Sequence, residues 1–337
     1  MFRPALLLCV LASLCASPAF AAVPALPEDQ KAIFWGSPED KPAEKLLGIT
    51  EDFVGRHYIT GDEWNPQLWL PFIKDLGGGY IGVGSDQAYL FLGWVKPDFA
   101  WFIDYDPMVV ALHAVYRAFL LESDTPDAFL RLWAPANQNE ALDRITHYYP
   151  NDSRLKLYKE LYTRNRGNIH YRLTLLRKKL DKDKVVNYLS DAATYTFVRD
   201  MVRSGRVRPM SANLLESKGI VGIGEAAKKL GVTIHALYLS NAEEYWPYGA
   251  QFRTNIRSLP FGAKTRVIRT LSSFSVNKDY RYNTQPGLLY QAWLERPTLH
   301  GVRQMVVRRK LTGPDDVEIS ETTTDPAEIG KKGKKKP

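Results

Sequence analysis

The sequence has only two cysteines, Cys9 and Cys15, and both lie in an apolar segment at the amino terminus. One basic residue, Arg3, precedes that segment, and it ends in the residues AFA, a pattern typical of a signal peptide cleaved after Ala21. The alternative is an uncleaved amino-terminal anchor. The mature chain would contain no cysteine, which excludes disulfides, thiolate nucleophiles and cysteine metal sites. We therefore expect an exported protein, periplasmic or secreted, whose stability depends on its hydrophobic core.

The body of the chain has no second long apolar run and little excess charge. Without another such run we expect no stable membrane span after signal cleavage. The formal net charge is +8, but Arg3 and the five lysines of the final KKGKKKP account for six of these charges. The body therefore lacks the basic footprint typical of a nucleic-acid-binding domain, and we expect no nucleic acid partner.

One local stretch is basic. Residues 154–184 contain eleven Lys or Arg against three Asp or Glu, which is typical of a solvated helical face. A protein or anionic partner is the alternative. That partner would bind a basic face consisting of Arg164, Arg166, Arg172, Arg177, Lys178 and Lys179.

Metal and serine-hydrolase chemistry have no sequence signature in this chain. Its histidines show no metal-ligand spacing with acidic residues, so we expect no metal. His113 falls in an apolar helical segment and is predicted to be a core residue. The absence of a G-x-S-x-G motif excludes the nucleophile elbow of the α/β hydrolases.

Short apolar runs alternate with helical segments over most of the body. This alternation predicts an α/β, Rossmann-like fold with a mainly parallel sheet. A large helical insertion, residues 107–206, separates the second and third strands. The predicted strands are YIGVG, AWFIDYD, VRPMSANLL, VTIHALYLSN, KTRVIRTL and LLYQAWLERP.

The same pattern divides the chain into segments. An amino-terminal lead, residues 22–75, contains PAEKLLGITEDFVGRHY, whose apolar spacing predicts a helix. The α/β domain covers residues 76–311, and the polar, lysine-ended residues 312–337 are predicted to be disordered.

Candidate ligand-binding residues follow the first three strands. Gly82 and Gly84 come at the end of the first strand, within the turn GVGSDQ that also contains Asp86. Asp104 ends the second strand, and Asn213 ends the third. In an open parallel sheet, ligands bind beyond the carboxyl ends of the strands, where glycine allows close approach and a carboxylate accepts hydrogen bonds from a ribose.

This arrangement resembles the Rossmann-like core of class I S-adenosylmethionine-dependent methyltransferases. YIGVGSDQAYLFLGWVKPDFAWFIDYD and LYLSNAEEYW are more closely similar to an uncharacterised bacterial protein family with that core, and the resemblance covers residues 76–271. It implies S-adenosylmethionine as cofactor. Its methionine part would lie at Gly82, Gly84 and Asp86, its ribose at Asp104 and its adenine at Asn213.

A second motif, SNAEEY, follows the fourth strand, where the amino-group methyltransferases of this class have an Asn or Asp, two prolines and an aromatic residue. Here Asn241 and Tyr245 match but the prolines are absent, so the acceptor is not specified. We expect Asn241 and Glu243 to orient a nucleophile and Tyr245 to stack on it. The alternative is a polar turn capped by Asn241.

Two further functions stay open. The chain could be a non-catalytic periplasmic protein that retains the fold and binds a nucleoside or a partner. It could also be an NAD-type oxidoreductase, because Gly222, Gly224 and Ala227 match G-x-G-x-x-A with Glu243 at a suitable distance. A continuous helix over residues 218–230 would exclude the NAD site.

Overall fold

The protein is an α/β structure built on one seven-stranded sheet. The computed structural model describes residues 23–47, 51, 54–272, 279–306 and 318–328. The predicted signal peptide and the lysine-rich end of the tail lie outside these residues. The prediction of a Rossmann-like fold with a mainly parallel sheet is confirmed. The strands are β1 (Gly79–Val83), β2 (Phe99–Asp104), β3 (Val207–Ser211), β4 (Ile234–Tyr238), β5 (Phe261–Leu271), β6 (Arg281–Pro286) and β7 (Ile319–Glu321).

Helices cover both faces of the sheet. Some are short connectors, and the longest has 28 residues. They are α1 (Glu28–Gly36), α2 (Leu70–Ile73), α3 (Asp86–Val95), α4 (Pro107–Leu121), α5 (Pro126–Trp133), α6 (Gln138–Tyr148), α7 (Leu155–Lys182), α8 (Ala192–Arg203), α9 (Gly219–Lys229), α10 (Ala250–Ser258) and α11 (Gly287–Leu294).

Alternation along the strands produces two separate cores. Ala100 and Phe102 of β2 lie in the core beneath α3–α8, whereas Trp101 and Ile103 lie in the core beneath α1 and α9–α11. Side chains alternate between the faces of a strand, so a strand buried on both faces is a nearly continuous apolar run. This explains why AWFIDYD is recognisable as a strand in the sequence.

The strand order β3-β2-β1-β4-β5-β6-β7 gives the sheet a topological switch point. From β1 the chain moves outward through β2 to β3, then crosses back to place β4 on the other side of β1. All of these pairs are parallel, as is β4 with β5, while β6 is antiparallel to β5. The ends of β1 and β4 therefore diverge into a crevice at the carboxyl edge, the usual ligand site of such sheets.

The long connection between β2 and β3 is helical, as predicted. Its first helix, α4, packs against both β2 and β3 and acts as the crossover helix. The remaining four helices, α5–α8, extend the core on that face with buried side chains such as Tyr162, Leu173 and Tyr195.

Three local predictions were wrong. LLYQAWLERP is helix α11 and not a strand, because Tyr290, Trp293 and Leu294 form one buried helical face. Residues 42–47 and 54–58 of the expected lead helix are not helical, and other residues of that segment lie outside the described ones. Part of the tail, residues 318–328, is ordered, because β7 pairs with β6. The rest of residues 312–337 lies outside the described residues.

The strand β6 has no apolar signature and was not predicted. Asn283, Thr284 and Gln285 are fully buried in it. The amide nitrogen of Asn283 donates to Ser320 and Thr322, which ties β6 to the segment that contains β7. Such hydrogen bonds offset part of the cost of burying polar side chains in the sheet.

The glycines of the expected NAD site lie inside α9, which runs unbroken from Gly219 to Lys229. A Cβ on Gly222 would lie 2.6 Å from Pro38, and one on Gly224 would lie 2.7 Å from the carbonyl oxygen of Ser258. These glycines permit close packing of α9 and do not form a phosphate-binding turn. The NAD site expected at these glycines is therefore wrong.

Substitution of Gly224 tests this packing role. We expect Gly224→Ala to lower the free energy of unfolding by about 1–3 kcal/mol, since the new methyl group overlaps the backbone of Ser258. Gly167→Ala is the matched control, because Gly167 is exposed within α7 and its Cβ would meet no atom within 4 Å. There the better helix propensity of alanine should raise stability by about 0.5–1 kcal/mol. Urea unfolding measures both values, and equal effects at the two sites would contradict the account.

Candidate functional site

One cavity opens at the carboxyl ends of β1, β2, β3 and β4. Most of the predicted site residues line it, although they come from segments separated by up to 160 positions. These lining residues are Gly84, Asp86, Asp104, Asn213, Asn241 and Tyr245. Gly82 and Glu243 do not line it.

The glycine turn after β1 is open to the cavity at Gly84 and closed at Gly82. Gly84 has φ +83°, a conformation that favours glycine, and a Cβ there would meet nothing within 4 Å. A Cβ on Gly82 would instead lie 2.2 Å from the hydroxyl of Tyr80. The predicted contact of Gly82 with a ligand was wrong, because this glycine is required for packing within the sheet.

His113 of α4 holds this turn from beneath. Its Nε2 lies 3.1 Å from the carbonyl oxygen of Gly84, and its Nδ1 lies 3.0 Å from the hydroxyl of Tyr89. A carbonyl can only accept, so Nε2 carries the proton and Tyr89 donates to Nδ1. Burial lowers the pKa of His113 to about 4, which keeps the ring neutral. The prediction of a core histidine is confirmed.

Asp104 lies at the end of β2 with part of its surface on the cavity. Its Oδ1 accepts a hydrogen bond from the amide of Asp106 at 2.9 Å. Burial, opposed only in part by backbone hydrogen bonds, raises the pKa of Asp104 from 3.8 to about 7. A carboxyl group that changes its charge near neutral pH in a cavity is typical of a functional site.

Asp86 lines the cavity but its charge is already compensated. Its Oδ2 lies 3.2 Å from Nε of Arg172, and both side chains are almost completely buried. Arg172 also donates to the side-chain oxygen of Gln87 at 2.9 Å and to the carbonyl of Glu63 at 2.7 Å, and it lies 4.4 Å above the ring of Trp64. Asp86 therefore anchors helix α7 to the glycine turn, and a direct bond to a ligand is not its main role.

A segment of the lead, residues 56–64, crosses the cavity and is called the strap here. His57 bonds to Asp106 at 2.8 Å, and the amide of Gly61 donates to Asp86 at 2.6 Å. The hydroxyl of Ser85 donates to the carbonyl of Ile59. Sequence reasoning placed no site residue here, because the strap has neither strand nor helix periodicity.

The strap carries a buried acid, Glu63, into the lining of the cavity. Its Oε1 accepts from the hydroxyls of Tyr238 at 2.8 Å, Ser240 at 2.6 Å and Thr270 at 3.3 Å. Its Oε2 has no hydrogen-bond partner among the described residues. Burial, followed by the nearby charge of Asp62, raises the pKa of Glu63.

The ends of β3 and β4 supply neutral polar groups. Asn213 accepts a hydrogen bond from the amide of Leu215 with its side-chain oxygen, which leaves the amide nitrogen for a ligand. Ser240 has φ +51°, a strained conformation for a non-glycine residue, and the next residue, Asn241, bonds to Tyr245. Burial is the main cause that raises the pKa of Tyr245 to about 12, so its hydroxyl is neutral.

Glu243 has a structural role, and the catalytic role predicted for it was wrong. Its carboxylate forms a buried ion pair with Arg269 at 3.0 Å and accepts hydrogen bonds from Tyr248 and Tyr290. Arg269 also lies 4.5 Å from the ring centre of Tyr290. The charge of Glu243 is compensated by Arg269, and Glu243 does not line the cavity.

The basic face predicted on the helical insertion is interrupted. Arg172 is buried, as described above, and is not on a surface. Arg177 pairs with Asp127 and Asp181, and Lys179 pairs with Asp183. Half of the six residues proposed for an anionic partner are therefore buried or neutralised by acids of the same chain.

Among the described residues, no helix is both long enough and apolar enough to cross a bilayer. In the same part of the chain, no group of three His, Cys, Asp or Glu side chains has the arrangement of a metal site.

One protein-family model matches most of the chain. A model for a domain of unknown function, DUF7790, matches residues 58–323. The chain belongs to this family. The DUF7790 match includes Asp62 and Glu63 of the strap as well as β7, so these elements are part of the family's domain. No curated protein matches the chain.

The raised pKa of Asp104 has a consequence for stability. The protonated form of Asp104 contributes fully to the free energy of unfolding below pH 3.8, the usual pKa of the group. This contribution is lost as the pH rises towards about 7, because the folded protein must then bury a charged carboxylate. We expect Asp104→Asn to stabilise the protein more at pH 8 than at pH 5, by on the order of 2 kcal/mol.

Thermal unfolding at the two pH values measures this difference. Asp98→Asn is the matched control, because Asp98 is exposed just before the same strand. An Asp104→Asn protein with the same pH dependence as the wild type would contradict the environment described for this carboxyl group.

Proposed function

We propose that the cavity binds an adenosine-type nucleoside, that its ligand is S-adenosylmethionine, and that the protein transfers a methyl group to an acceptor. One observation carries this proposal. Gly84, Asp104, Asn213 and Asn241 follow four neighbouring strands and line a single cavity at the switch point of the sheet. Clefts at that position are the usual binding sites of α/β folds.

The residues present fit a nucleoside. The space above Gly84 would be filled by any side chain, so its opening allows a ligand to approach the backbone. Asp104 would accept hydrogen bonds from the ribose hydroxyls, and the amide nitrogen of Asn213 would donate to an acceptor atom of the base. These are the roles that the methyltransferase resemblance implies for the two residues.

The charges in the cavity disfavour phosphate. Five acidic side chains line it, whereas Arg56 is the only lysine or arginine among the described lining residues. The amide of Gly84 already donates to Ile103 at 3.2 Å, and Asp86 occupies the first turn of α3. A nucleotide would face like charges where a phosphate site needs free amides. S-adenosylmethionine carries a positive sulfonium and no phosphate.

When bound, S-adenosylmethionine would supply an electrophilic methyl group. Asn241 and Tyr245, after β4, border the same cavity and are suited to orienting an acceptor by hydrogen bonding. Neither is a base at neutral pH, because an amide does not titrate and the pKa of Tyr245 is about 12. Their role would be positioning.

A non-catalytic binding protein is the second candidate. It is favoured because neither Asn241 nor Tyr245 is a base at neutral pH, and by the expected export away from the cytosol, where S-adenosylmethionine is made. Retained ligand binding without methyl transfer to any acceptor would select this candidate.

Ligand titration tests the proposal. We expect S-adenosylmethionine, S-adenosylhomocysteine and adenosine to bind the mature chain, and NAD and ATP to bind much less. At a hundredfold excess over its dissociation constant a ligand should stabilise the protein by about 2.7 kcal/mol. Asp104→Ala should weaken nucleoside binding by about tenfold or more, because a charge-assisted hydrogen bond is lost.

Isothermal titration calorimetry measures these affinities, with Asp98→Ala, just before the same strand, as the matched control. Equal affinity for adenosine and ATP, or an Asp104→Ala protein that binds like the wild type, would count against a nucleoside at this site.

A further inference from the structure

We infer that the mouth of the cavity binds a cationic amine through Asp62, next to the buried Glu63 and among the rings of Tyr58, Tyr245 and Tyr280. All five residues line the cavity. This amine site deepens the proposed function, because it assigns the methyl acceptor to the class of amines. The charge argument for the site itself does not depend on that function.

Most of the acidic side chains that line the cavity have an ion-pair or hydrogen-bond partner that accounts for their charge. Asp86 pairs with Arg172, and Asp106 bonds to His57 and caps α4 through the amide of Met108. Asp104 would bind the ribose. These groups need no further positive charge from a ligand.

The two adjacent acids of the strap are different. In the described part of the chain neither Asp62 nor Glu63 forms an ion pair, and their partners are hydroxyl groups. Burial raises the pKa of both carboxyl groups, the charge of Asp62 raises that of Glu63 further, and the charge of Arg172 lowers that of Asp62 only in part. Adjacent acidic groups without an ion-pair partner attract a cation.

The orphan oxygen of Glu63 is an independent sign of a missing partner. Glu63 is 1% exposed and lines the cavity, yet its Oε2 has no hydrogen-bond partner among the described residues. A buried carboxylate oxygen without a donor is costly, so a native structure that contains one needs an explanation. A donor group of a ligand that reached this oxygen would provide it.

The aromatic rings complete the site. The hydroxyl of Tyr280 donates to Asp62 at 2.7 Å, and Tyr245 lies within hydrogen-bonding distance of Tyr58. Tyr58 is 41% exposed, although it is a large aromatic side chain. Tyrosine rings beside a carboxylate attract ammonium and methylammonium groups by cation–π interaction.

Arg56, the arginine that lines the cavity, already makes a cation–π contact with one of these rings. The guanidinium carbon of Arg56 lies 5.6 Å from the ring centre of Tyr58. A ligand amine would compete with Arg56 for Tyr58.

The amine site is tested with tyramine and tyrosol, which differ by an ammonium group in place of a hydroxyl. We expect tyramine to bind the wild-type protein, as measured by calorimetry at constant ionic strength, and tyrosol to bind at least about tenfold less. Asp62→Asn should weaken tyramine binding by about tenfold, and Glu63→Gln should also weaken it. Arg56→Ala should strengthen it, because a competing cation is removed.

Asp124→Asn is the matched control, since its side chain is 96% exposed and lies outside the cavity. It should leave tyramine binding unchanged. Asp62 is more exposed than Glu63, so its variant should fold even if Glu63→Gln does not.

The outcomes separate the amine site from the proposed function. Equal binding of tyramine and tyrosol, or an Asp62→Asn protein that binds tyramine like the wild type, overturns the amine site. If Asp62→Asn weakens S-adenosylhomocysteine but not adenosine, the acids hold the amino group of the cofactor, and the acceptor assignment is overturned. Tyramine binding that depends on Asp62 in a protein without nucleoside affinity supports the amine site while the proposed function fails.

Discussion

The parallel pairing of β1 with β2 on one side and β4 on the other is the constraint on which the site depends. Because the strands run in the same direction, their carboxyl ends lie at one edge of the sheet, and every residue that follows a strand is delivered there. Because the connections leave in opposite directions, the edge opens between β1 and β4. A register shift of one residue in β2 would turn Asp104 to the other face.

The helical insertion is connected to this edge by one buried ion pair. Arg172 of α7 binds Asp86 at the glycine turn and the strap at Glu63, so three distant segments depend on the same guanidinium. Removing one partner of such a pair leaves an uncompensated buried charge and typically costs about 3–5 kcal/mol. The helical insertion therefore contributes to the site, because its Arg172 holds the glycine turn and the strap in place.

The sequence was sufficient for the parts of the fold that follow local rules. β1, β2 and α4 were visible as buried runs, and the glycine turn and Asp104 followed from the position of strand ends. The misassigned α11 and the unpredicted β6 have compositions that are unusual for their structures: the helix is almost continuously apolar, and the strand is polar although it is buried.

The rest of the site depends on contacts between distant segments, which no local pattern reveals. Arg172 looked like part of a solvated basic face and is buried against residues about 85 positions away. Glu243 looked like a catalytic acid and is neutralised by Arg269, which is on β5. Glu63 could not be identified from the sequence, because its place in the site depends on hydrogen bonds from the distant residues Tyr238, Ser240 and Thr270.

A crystal structure of the mature chain with S-adenosylhomocysteine tests the central claim most directly. The account predicts the ribose hydroxyls within about 3 Å of the carboxylate of Asp104, the base beside Asn213 and the amino-acid part above Gly84. Ligand density elsewhere on the protein, or a ribose turned away from Asp104, would contradict it.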